Sequence, residues 1–411
     1  MFHTLLRLLH LLQLAIAYNL VIDTQTKGIV SYIRGLRGAY KDGLENHSVP
    51  KIRKKRCLGQ VELTDITVTE VQVGSTETVV AGGDYHLRIE HLSTLLHGSY
   101  FTNVLFIRNT GDFQLRIRDL NASLGPLVPI NIGGIPYVNQ DISCSIWHKE
   151  DHIEVSGGIL RWLARKRLRD TMKEDLESIL CDSLVEILDR KIRQSLGGLK
   201  LVLPVNEATS ISYLIAGQPL LLPYGAVRTY HSGITSTKHV GEKFIPSALE
   251  SQHHVIYQIH EGLLTEVVQS VCSRGFLDGN FTVSQEYVQV TCQKASVSLK
   301  NMEALHTANI MLAISLTFRD GRERAMLKNY SVSVLHSSRL RVLFRLRSEI
   351  VSTTQHNDDY GDQIFSMLSE VVRLHVNVPL PIPDGAHTDR SMIKLLPDRI
   401  LFATDFVFRK R

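Results

Sequence analysis

Apolar and polar positions change period several times along the chain, and each change predicts a different kind of element. Residues 26–44 place apolar side chains at three- and four-residue spacing, which predicts an amphipathic helix. Its glycines lower the helix propensity, so this helix needs tertiary contacts to form. Residues 59–145 alternate apolar and polar positions, as β-strands do. Residues 159–196 return to helical spacing with a broad apolar stripe.

The second half repeats this order of elements. Helical spacing predicts helices at 255–273 and 361–374, and alternation between them predicts strands at 286–299, 309–318, 329–335 and 341–347. Two β-rich halves, each with a helix before and after its strands, indicate a duplicated domain. Prolines mark the connection between the halves. The predicted divisions are a signal peptide at 1–17, an N-terminal domain at 18–217, a linker at 218–246 and a C-terminal domain at 247–411.

The first seventeen residues predict a secretory signal peptide. Arg7 precedes a leucine-rich run, and Ala15 and Ala17 precede a cleavage point at Tyr18. The alternative is an amphipathic helix or a membrane anchor, although the apolar run is too short to span a bilayer comfortably. Secretion would place the five cysteines in an oxidising environment. No Cys-x-x-Cys pair occurs, which disfavours zinc ribbons and thioredoxin chemistry.

Four Asn-x-Ser/Thr triplets agree with secretion and predict glycosylation sites. They begin at Asn46, Asn121, Asn280 and Asn329. Asn329 is the best placed by pattern, because the residues that follow it alternate and would direct its side chain outward.

Composition and motifs narrow the function classes. The chain is 44% hydrophobic and carries a net charge of only +5, which excludes general disorder and argues against nucleic-acid binding. Motifs for serine hydrolases, zinc proteases and phosphate loops are missing from the sequence. We therefore expect no enzyme, no catalytic residue, no metal and no cofactor, with a lipid-ester hydrolase as the competing hypothesis. The histidines at 253, 254 and 260 lack a matching carboxylate for metal binding.

Two basic clusters need an interpretation. The segment Lys51–Arg56 allows three interpretations: a patch for anionic lipid headgroups, a processing site before Cys57, or a solvated loop, which we favour. The second cluster is formed by Arg161, Arg165, Lys166, Arg167 and Arg169 at the start of the long helix. Positive charge there opposes the helix dipole, so it is not placed for helix stability. The simplest interpretation is a solvated face compensated by Asp170, Glu174 and Asp175.

Apolar helices lying along twisted sheets allow two interpretations. Such a helix can leave a long groove for acyl chains, whose methylenes bind by burial alone. The same surfaces can instead pack directly on each other.

Several segments resemble one family over essentially the whole mature chain. They are Thr26–Ile33, the stretch from Ile142 through Cys144 to Trp162 and Cys181, the Val378–Pro383 run, and Leu395–Phe408. In these the chain resembles the bactericidal/permeability-increasing protein, lipopolysaccharide-binding protein and lipid-transfer-protein family, whose fold is tubular and lipid-binding. The resemblance implies an α+β fold: an elongated two-barrel boomerang, each half a twisted antiparallel β-barrel with two helices, joined by a central β-sheet. It also implies a disulfide between Cys144 and Cys181.

The family likeness further implies apolar pockets that take phospholipid acyl chains between the helices and the central sheet. Helical periodicity assigns the following side chains to the N-terminal pocket: Ile29, Ile33, Leu36, Tyr40, Leu176, Leu180 and Leu184. A bond between Cys272 and Cys292 across a helix-to-strand turn is one option, and the state of Cys57 is left open.

The departures from the family affect the functional prediction. Endotoxin-binding members carry a lysine-rich loop, whereas the corresponding stretch here, Gly98–Arg108, has one basic residue. We therefore predict a secreted lipid-binding or lipid-transfer protein with a phospholipid or related lipid as its partner. The alternative is an innate-immune protein that binds bacterial lipopolysaccharide or another anionic membrane surface.

Overall fold

The computed structural model describes residues 18–408, with short gaps at 46, 48, 57–58, 82–83, 105–106, 140, 149, 158–160, 208, 234–244, 248, 250, 284, 300–306, 338–339, 351–359 and 384–385. A few further side chains, that of Leu176 among them, are also outside the description. The predicted signal peptide, the Asn46 glycosylation site and Cys57 therefore lie outside the described residues.

Four helices occur in the described part of the chain: α1 (Thr26–Glu45), α2 (Arg161–Gly197), α3 (Glu261–Ser273) and α4 (Gly361–His375). The strands of the first half are β1 (Leu20–Thr24), β2 (Ile52–Arg56), β3 (Gly59–Gln72), β4 (Ser75–Ala81), β5 (Asp84–Val104), β6 (Ile107–Leu127), β7 (Pro129–Ile132), β8 (Ile135–Val138), β9 (Ser143–Trp147) and β10 (Glu150–Ser156). Those of the second half are β11 (Val202–Pro204), β12 (Ser210–Ser212), β13 (Leu220–Leu221), β14 (Val227–His231), β15 (Val255–His260), β16 (Gly279–Val283), β17 (Glu286–Ser298), β18 (Thr307–Phe318), β19 (Glu323–Ser337), β20 (Arg341–Glu349), β21 (Asn377–Pro379), β22 (Ala386–Leu396) and β23 (Arg399–Phe408).

These elements form two compact units. The N-terminal unit contains residues 29–130 and 137–195, and the C-terminal unit contains 18–28, 131–136 and 196–408. The domain boundaries at 217 and 246 stay predictions, although the proposed linker does contain the strands β13 and β14.

One antiparallel sheet forms the N-terminal unit together with α1 and α2. Its strand order is β10-β6-β5-β3-β2, with β4 added to β5 and β9 to β6. β5 and β6 are 21 residues long, and their register shifts at bulges. Residues with positive φ stand at such irregularities, among them His91 and Asp119. Bulges increase local twist, so they curl these long strands.

The C-terminal unit holds two six-stranded antiparallel sheets. One has the order β16-β17-β18-β19-β20-β21 and buries its apolar face against α3 and α4. The other has the order β13-β14-β1-β15-β23-β22, so it joins strands from both ends of the chain. The predicted α+β class, with an antiparallel sheet and two helices for each half, is confirmed.

A buried ion pair holds the strand that leads into α1. The Arg228 guanidinium on β14 donates to both carboxylate oxygens of Asp23 on β1, at 2.6 and 2.8 Å. Gln258 on β15 donates to the same carboxylate at 2.9 Å. Because buried charges are tolerated only when paired and hydrogen-bonded, these contacts fix the order β14-β1-β15.

The predicted helix at 255–273 was wrong over its first six residues. Val255–His260 form β15, which lies between β1 and β23 and is buried along its whole length. A strand covered on both faces shows no alternation, so its apolar run imitates helical spacing. The other three predicted helices are confirmed to within two residues at each end. None of the helices in the described regions combines the length and hydrophobicity needed to span a bilayer.

Candidate functional site

α1 carries a narrow apolar stripe on an otherwise polar surface. Ile33, Leu36, Tyr40 and Leu44 are buried, while Ile29 is half-buried at the amino-terminal end. Their spacing of three and four residues places them on one face of the helix. The site residues predicted on α1 therefore share the face that points into the N-terminal unit.

α2 presents a longer buried face and is tied to the sheet by a disulfide. Leu180 and Leu184 are fully buried, at 1% and 0% exposure, and the side chain of Leu176 lies outside the described residues. Cys181, next to Leu180, bonds to Cys144 on β9, which is the pairing implied by the family resemblance. The bond fixes the rotation of α2, so Leu184 stays directed inward.

The two helices contact each other at two levels. The Tyr32 hydroxyl donates to Ser195 Oγ at 2.6 Å, and the Gly43 backbone approaches Ile187 so closely that a Cβ there would lie 2.9 Å from Ile187 Cγ1. Tyr32 precedes Gly43 on α1, whereas their partner Ser195 follows Ile187 on α2, so the two helices run antiparallel. A glycine suits this crossing, because a Cβ at position 43 would force the Ile187 side chain or the helices to shift.

The sheet of the N-terminal unit anchors α1 through Val73, which follows β3, and through Thr76 on β4. Arg37 Nε donates to the Val73 carbonyl at 2.7 Å, and Thr76 Oγ1 donates to the Ile33 carbonyl at 3.2 Å. Each of these bonds joins a side chain to a backbone group. They hold α1 in position through polar contacts outside its apolar stripe.

Tyr40 is a buried residue with an unsatisfied polar group. Its side chain is 1% exposed, and its hydroxyl has no hydrogen-bond partner among the described residues. Burial, with a smaller contribution from nearby Tyr32, raises the pKa of Tyr40 far above the usual value for a tyrosine. The hydroxyl therefore stays protonated and can donate a hydrogen bond inside the helix pair.

Sequence reasoning placed the correct faces of α1 and α2 in one unit but missed Tyr32, Ser195 and Ile187. The pair that Tyr32 forms joins residues 163 positions apart, which the periodicity of one helix does not reveal. The one signal for the crossing was the glycine content of α1, and only Gly43 of its glycines meets α2 at short range. Gly35 and Gly38 face open space.

The corresponding helix of the C-terminal unit is packed differently. Eight of the thirteen residues of α3 are buried, and Cys272 bonds to Cys292 on β17. Thr265 and Gln269 add hydrogen bonds to the β17 backbone, at 3.0 Å to Val297 N and 2.8 Å to Ala295 N. α3 is therefore fixed to its sheet along most of its length.

The histidine group has structural roles. His260 is the N-cap of α3, and its Nδ1 accepts from Gly262 N–H at 3.1 Å. His254 Nδ1 accepts from Phe406 N–H at 3.0 Å, and burial lowers the pKa of His254. Among the residues that the structure describes, no cluster of three metal-ligating side chains occurs.

Carboxylates on neighbouring elements neutralise the first basic cluster. β2 is an edge strand, Lys51 and Arg53 both pair with Glu62 on β3, and Lys54 pairs with Asp175 on α2 at 2.8 Å. Hydrogen bonding and charge from Lys51, together with Arg53, lower the pKa of Glu62. The predicted solvated loop is therefore a paired strand instead.

Comparison with protein-family models gives no match, and comparison with curated protein sequences gives none either. Among solved structures, the crystal structure of lipopolysaccharide binding protein matches with a TM-score of 0.62 at 13% identity, covering 96% of this chain and 100% of that chain. This chain has the fold of lipopolysaccharide binding protein. Takeout 1 of Epiphyas postvittana matches 41% of this chain and 90% of its own at 10% identity, with a TM-score of 0.29 that carries no argument.

The match confirms the predicted resemblance at the level of fold. An identity of 13% says nothing about the ligand. Within the lipopolysaccharide-binding-protein fold, the α1–α2 pair of this chain combines a buried apolar face with a buried hydroxyl that has no hydrogen-bond partner among the described residues.

Proposed function

We propose that this protein is a secreted, non-enzymatic lipid-binding protein that holds the acyl chains of a phospholipid against the apolar faces of α1 and α2. The observation that supports this most strongly is the fold shared with lipopolysaccharide binding protein, together with the buried face of this helix pair. The side chains assigned to acyl contact are Ile29, Ile33, Leu36, Tyr40, Leu176, Leu180 and Leu184.

Acyl chains need no special residue for binding. Each methylene that leaves water contributes about 0.8 kcal/mol, so ten of them contribute about 8 kcal/mol before the costs of binding. The Tyr40 hydroxyl can supply one hydrogen bond to an ester oxygen at the headgroup end of the lipid. This polar contact would set the depth of the lipid, while burial would set its affinity.

Secretion is supported by the two disulfides and by the sequons. Disulfides such as Cys144–Cys181 and Cys272–Cys292 form and persist mainly in oxidising compartments, which supports secretion. Asn280 is exposed on β16, whereas the Oδ1 atom of Asn329 is buried, so we expect the glycan at Asn280 in preference to Asn329. Asn121, half-buried on β6, is a third candidate among the described residues. Glycopeptide mapping of the secreted protein measures the occupancy of each.

Lipopolysaccharide is the second candidate ligand, because the matched structure is that of a protein named for binding it. The Gly98–Arg108 stretch argues against recognition of this ligand by that loop, since it has one basic residue. Binding to endotoxin micelles that falls steeply with salt would support this candidate, whereas salt-insensitive extraction of neutral phospholipid supports the first.

Native mass spectrometry of the purified, secreted protein tests the proposal. We expect bound phospholipid, identified after extraction, and a ligand-free mass would contradict the proposal. Ile29→Asp places a charge on the half-buried end of the α1 face and should abolish the bound lipid. Phe365→Asp, at a half-buried position on α4, is the matched control and should retain it. Circular dichroism verifies that both variants are folded.

A further inference from the structure

The second basic cluster forms a continuous exposed face on the first turns of α2. Arg161, Arg165 and Arg169 follow one another at four-residue spacing, and Trp162 and Lys166 lie on the adjacent row. All five side chains are exposed, and Trp162 is 70% exposed. We call these five residues the cationic–aromatic face.

No acidic side chain described in the structure neutralises this face. None of its four cations forms an ion pair with a described residue. Asp175, one of the carboxylates expected to compensate it, pairs with Lys54 instead. Asp170 is half-buried and likewise forms no ion pair with a described residue. Asp170 and Asp175 therefore do not provide the compensation expected from the sequence, and the side chain of Glu174, the third expected carboxylate, lies outside the described residues.

The arrangement is unfavourable for the helix itself. Like charges four residues apart repel each other, and positive charge in the first turns opposes the helix dipole. The first turn contains no acidic residue to offset either effect. The exposure of most of the Trp162 indole ring to water is also unfavourable for the folded chain. Stability of the folded chain gives no reason for this combination, whereas a negatively charged surface would complement it.

We propose that the cationic–aromatic face docks the protein on bilayers that contain anionic phospholipid. Lysine and arginine side chains are attracted to the negative surface of such a bilayer, and tryptophan inserts at the level of the headgroups. The charges would bring the helix to the surface and Trp162 would anchor it. This proposal rests on the proposed function in one respect: docking would serve a lipid carrier, which has to reach a membrane.

The two tryptophans of the chain permit a direct test in the full-length protein. Trp147 and Trp162 are the only two, so Trp147→Phe leaves Trp162 as the single indole reporter. We expect its emission to shift to the blue with vesicles of phosphatidylcholine and phosphatidylserine at 7:3, and not with phosphatidylcholine alone. Brominated lipids should quench it. An emission unchanged by the anionic vesicles would overturn the proposal.

Charge variants separate this face from basic charge in general. R161Q/R165Q/R169Q should weaken vesicle binding by about 100-fold in co-sedimentation, from the usual contribution of three cations at an anionic surface. K51Q/R53Q/K54Q removes the same charge from the paired cluster on β2 and should change binding by less than about threefold, because these cations already have partners. Equal losses in both variants would overturn the proposal.

Salt and lipid content distinguish the remaining outcomes. Binding should weaken as NaCl rises from 50 to 300 mM, as expected for an exposed charged surface. The R161Q/R165Q/R169Q variant should still co-purify with its lipid in native mass spectrometry. If the protein carries lipid but does not bind the vesicles, the docking proposal is wrong and the proposed function stands. If it binds the vesicles but carries no lipid, the proposed function is wrong and the docking proposal stands. Binding to endotoxin micelles without binding to phosphatidylserine vesicles would overturn docking on phospholipid.

Discussion

α1 and α3 occupy equivalent places in the two halves of the chain, yet they are held in opposite ways. Each follows a strand of the same sheet, β1 or β15, and precedes a run of antiparallel strands. Four of the twenty residues of α1 are buried, against eight of thirteen in α3. α3 has a disulfide to its sheet, whereas α1 contains no cysteine and is held by hydrogen bonds, by the Lys27–Asp405 ion pair at its amino-terminal end and by the close crossing with α2.

The difference shows that one order of elements can anchor its first helix either along most of its length or at a few points. In the C-terminal unit, apolar side chains from α3, α4 and the sheet form one buried cluster. In the N-terminal unit, α1 buries four side chains and makes hydrogen bonds to α2, to Val73 and to Thr76. Regions of low local stability are where ligand-binding motions occur. We therefore assign lipid binding to the N-terminal unit, and the following variants test the contrast.

Removing the disulfides should give the largest effects. The cysteines of the first bond are 37 residues apart and those of the second 20. Loop-closure entropy therefore predicts losses of about 4 and about 3 kcal/mol in the free energy of unfolding. C144S/C181S should also lose bound lipid, because it frees α2 from β9, whereas C272S/C292S should retain it. Urea unfolding and native mass spectrometry measure the two quantities. Equal lipid loss in both variants would remove the distinction between the units.

Acid should loosen the C-terminal unit through His231. Burial lowers the pKa of His231 to about 4, although Nδ1 donates to the Tyr213 carbonyl at 2.7 Å. The unfolded chain binds a proton near pH 6.5 and the folded chain does not, so stability falls as pH drops from 6.5 towards 4, by about 3 kcal/mol. Hydrogen exchange in β14 should accelerate over this range. His231→Gln should flatten the pH dependence, and an unchanged dependence would contradict this assignment.

One substitution should have opposite effects at two positions of α1. Gly43→Ala forces a Cβ against Ile187 and should cost about 1–3 kcal/mol, as overpacking does. Gly38→Ala meets open space and should stabilise the helix by about 0.5–1 kcal/mol. Thermal unfolding of both proteins measures the difference. Stabilisation by Gly43→Ala would show that α1 and α2 do not cross there.

Tyrosine-to-phenylalanine changes should produce the smallest effects. Tyr40→Phe removes a buried hydroxyl without a partner and should stabilise the protein by about 1 kcal/mol once lipid has been extracted. Tyr32→Phe breaks the bond to Ser195 and should destabilise it by about 1 kcal/mol. Urea unfolding of the delipidated proteins measures both. Destabilisation by Tyr40→Phe would mean that this hydroxyl has a partner in the fold.

The sequence predicted the features that depend on local pattern. Three helices, the alternation through Leu115 and Ile117, and the apolar face with Ile33 and Leu184 follow from periodicity, and the fold followed from the family resemblance. β15 was missed because burial on both faces removes the alternation that identifies a strand.

Contacts between distant residues could not be predicted from spacing. The Tyr32–Ser195 bond, the Gly43–Ile187 crossing and the Lys54–Asp175 pair each depend on how the chain folds back on itself. The last of these also removed the expected compensation of the α2 arginines by Asp175. The sequence thus located the basic clusters, whereas the structure distinguished the neutralised cluster from the exposed one.

Photo-crosslinking tests the central claim most directly. The purified protein would be loaded with phosphatidylcholine that carries a diazirine on one acyl chain, irradiated and mapped by peptide mass spectrometry. We predict crosslinks on α1 and α2, concentrated on the peptides that contain Ile33, Leu36 and Leu184. Crosslinks confined to α3 and α4, or none on either helix pair, would contradict the assignment of lipid binding to the N-terminal unit.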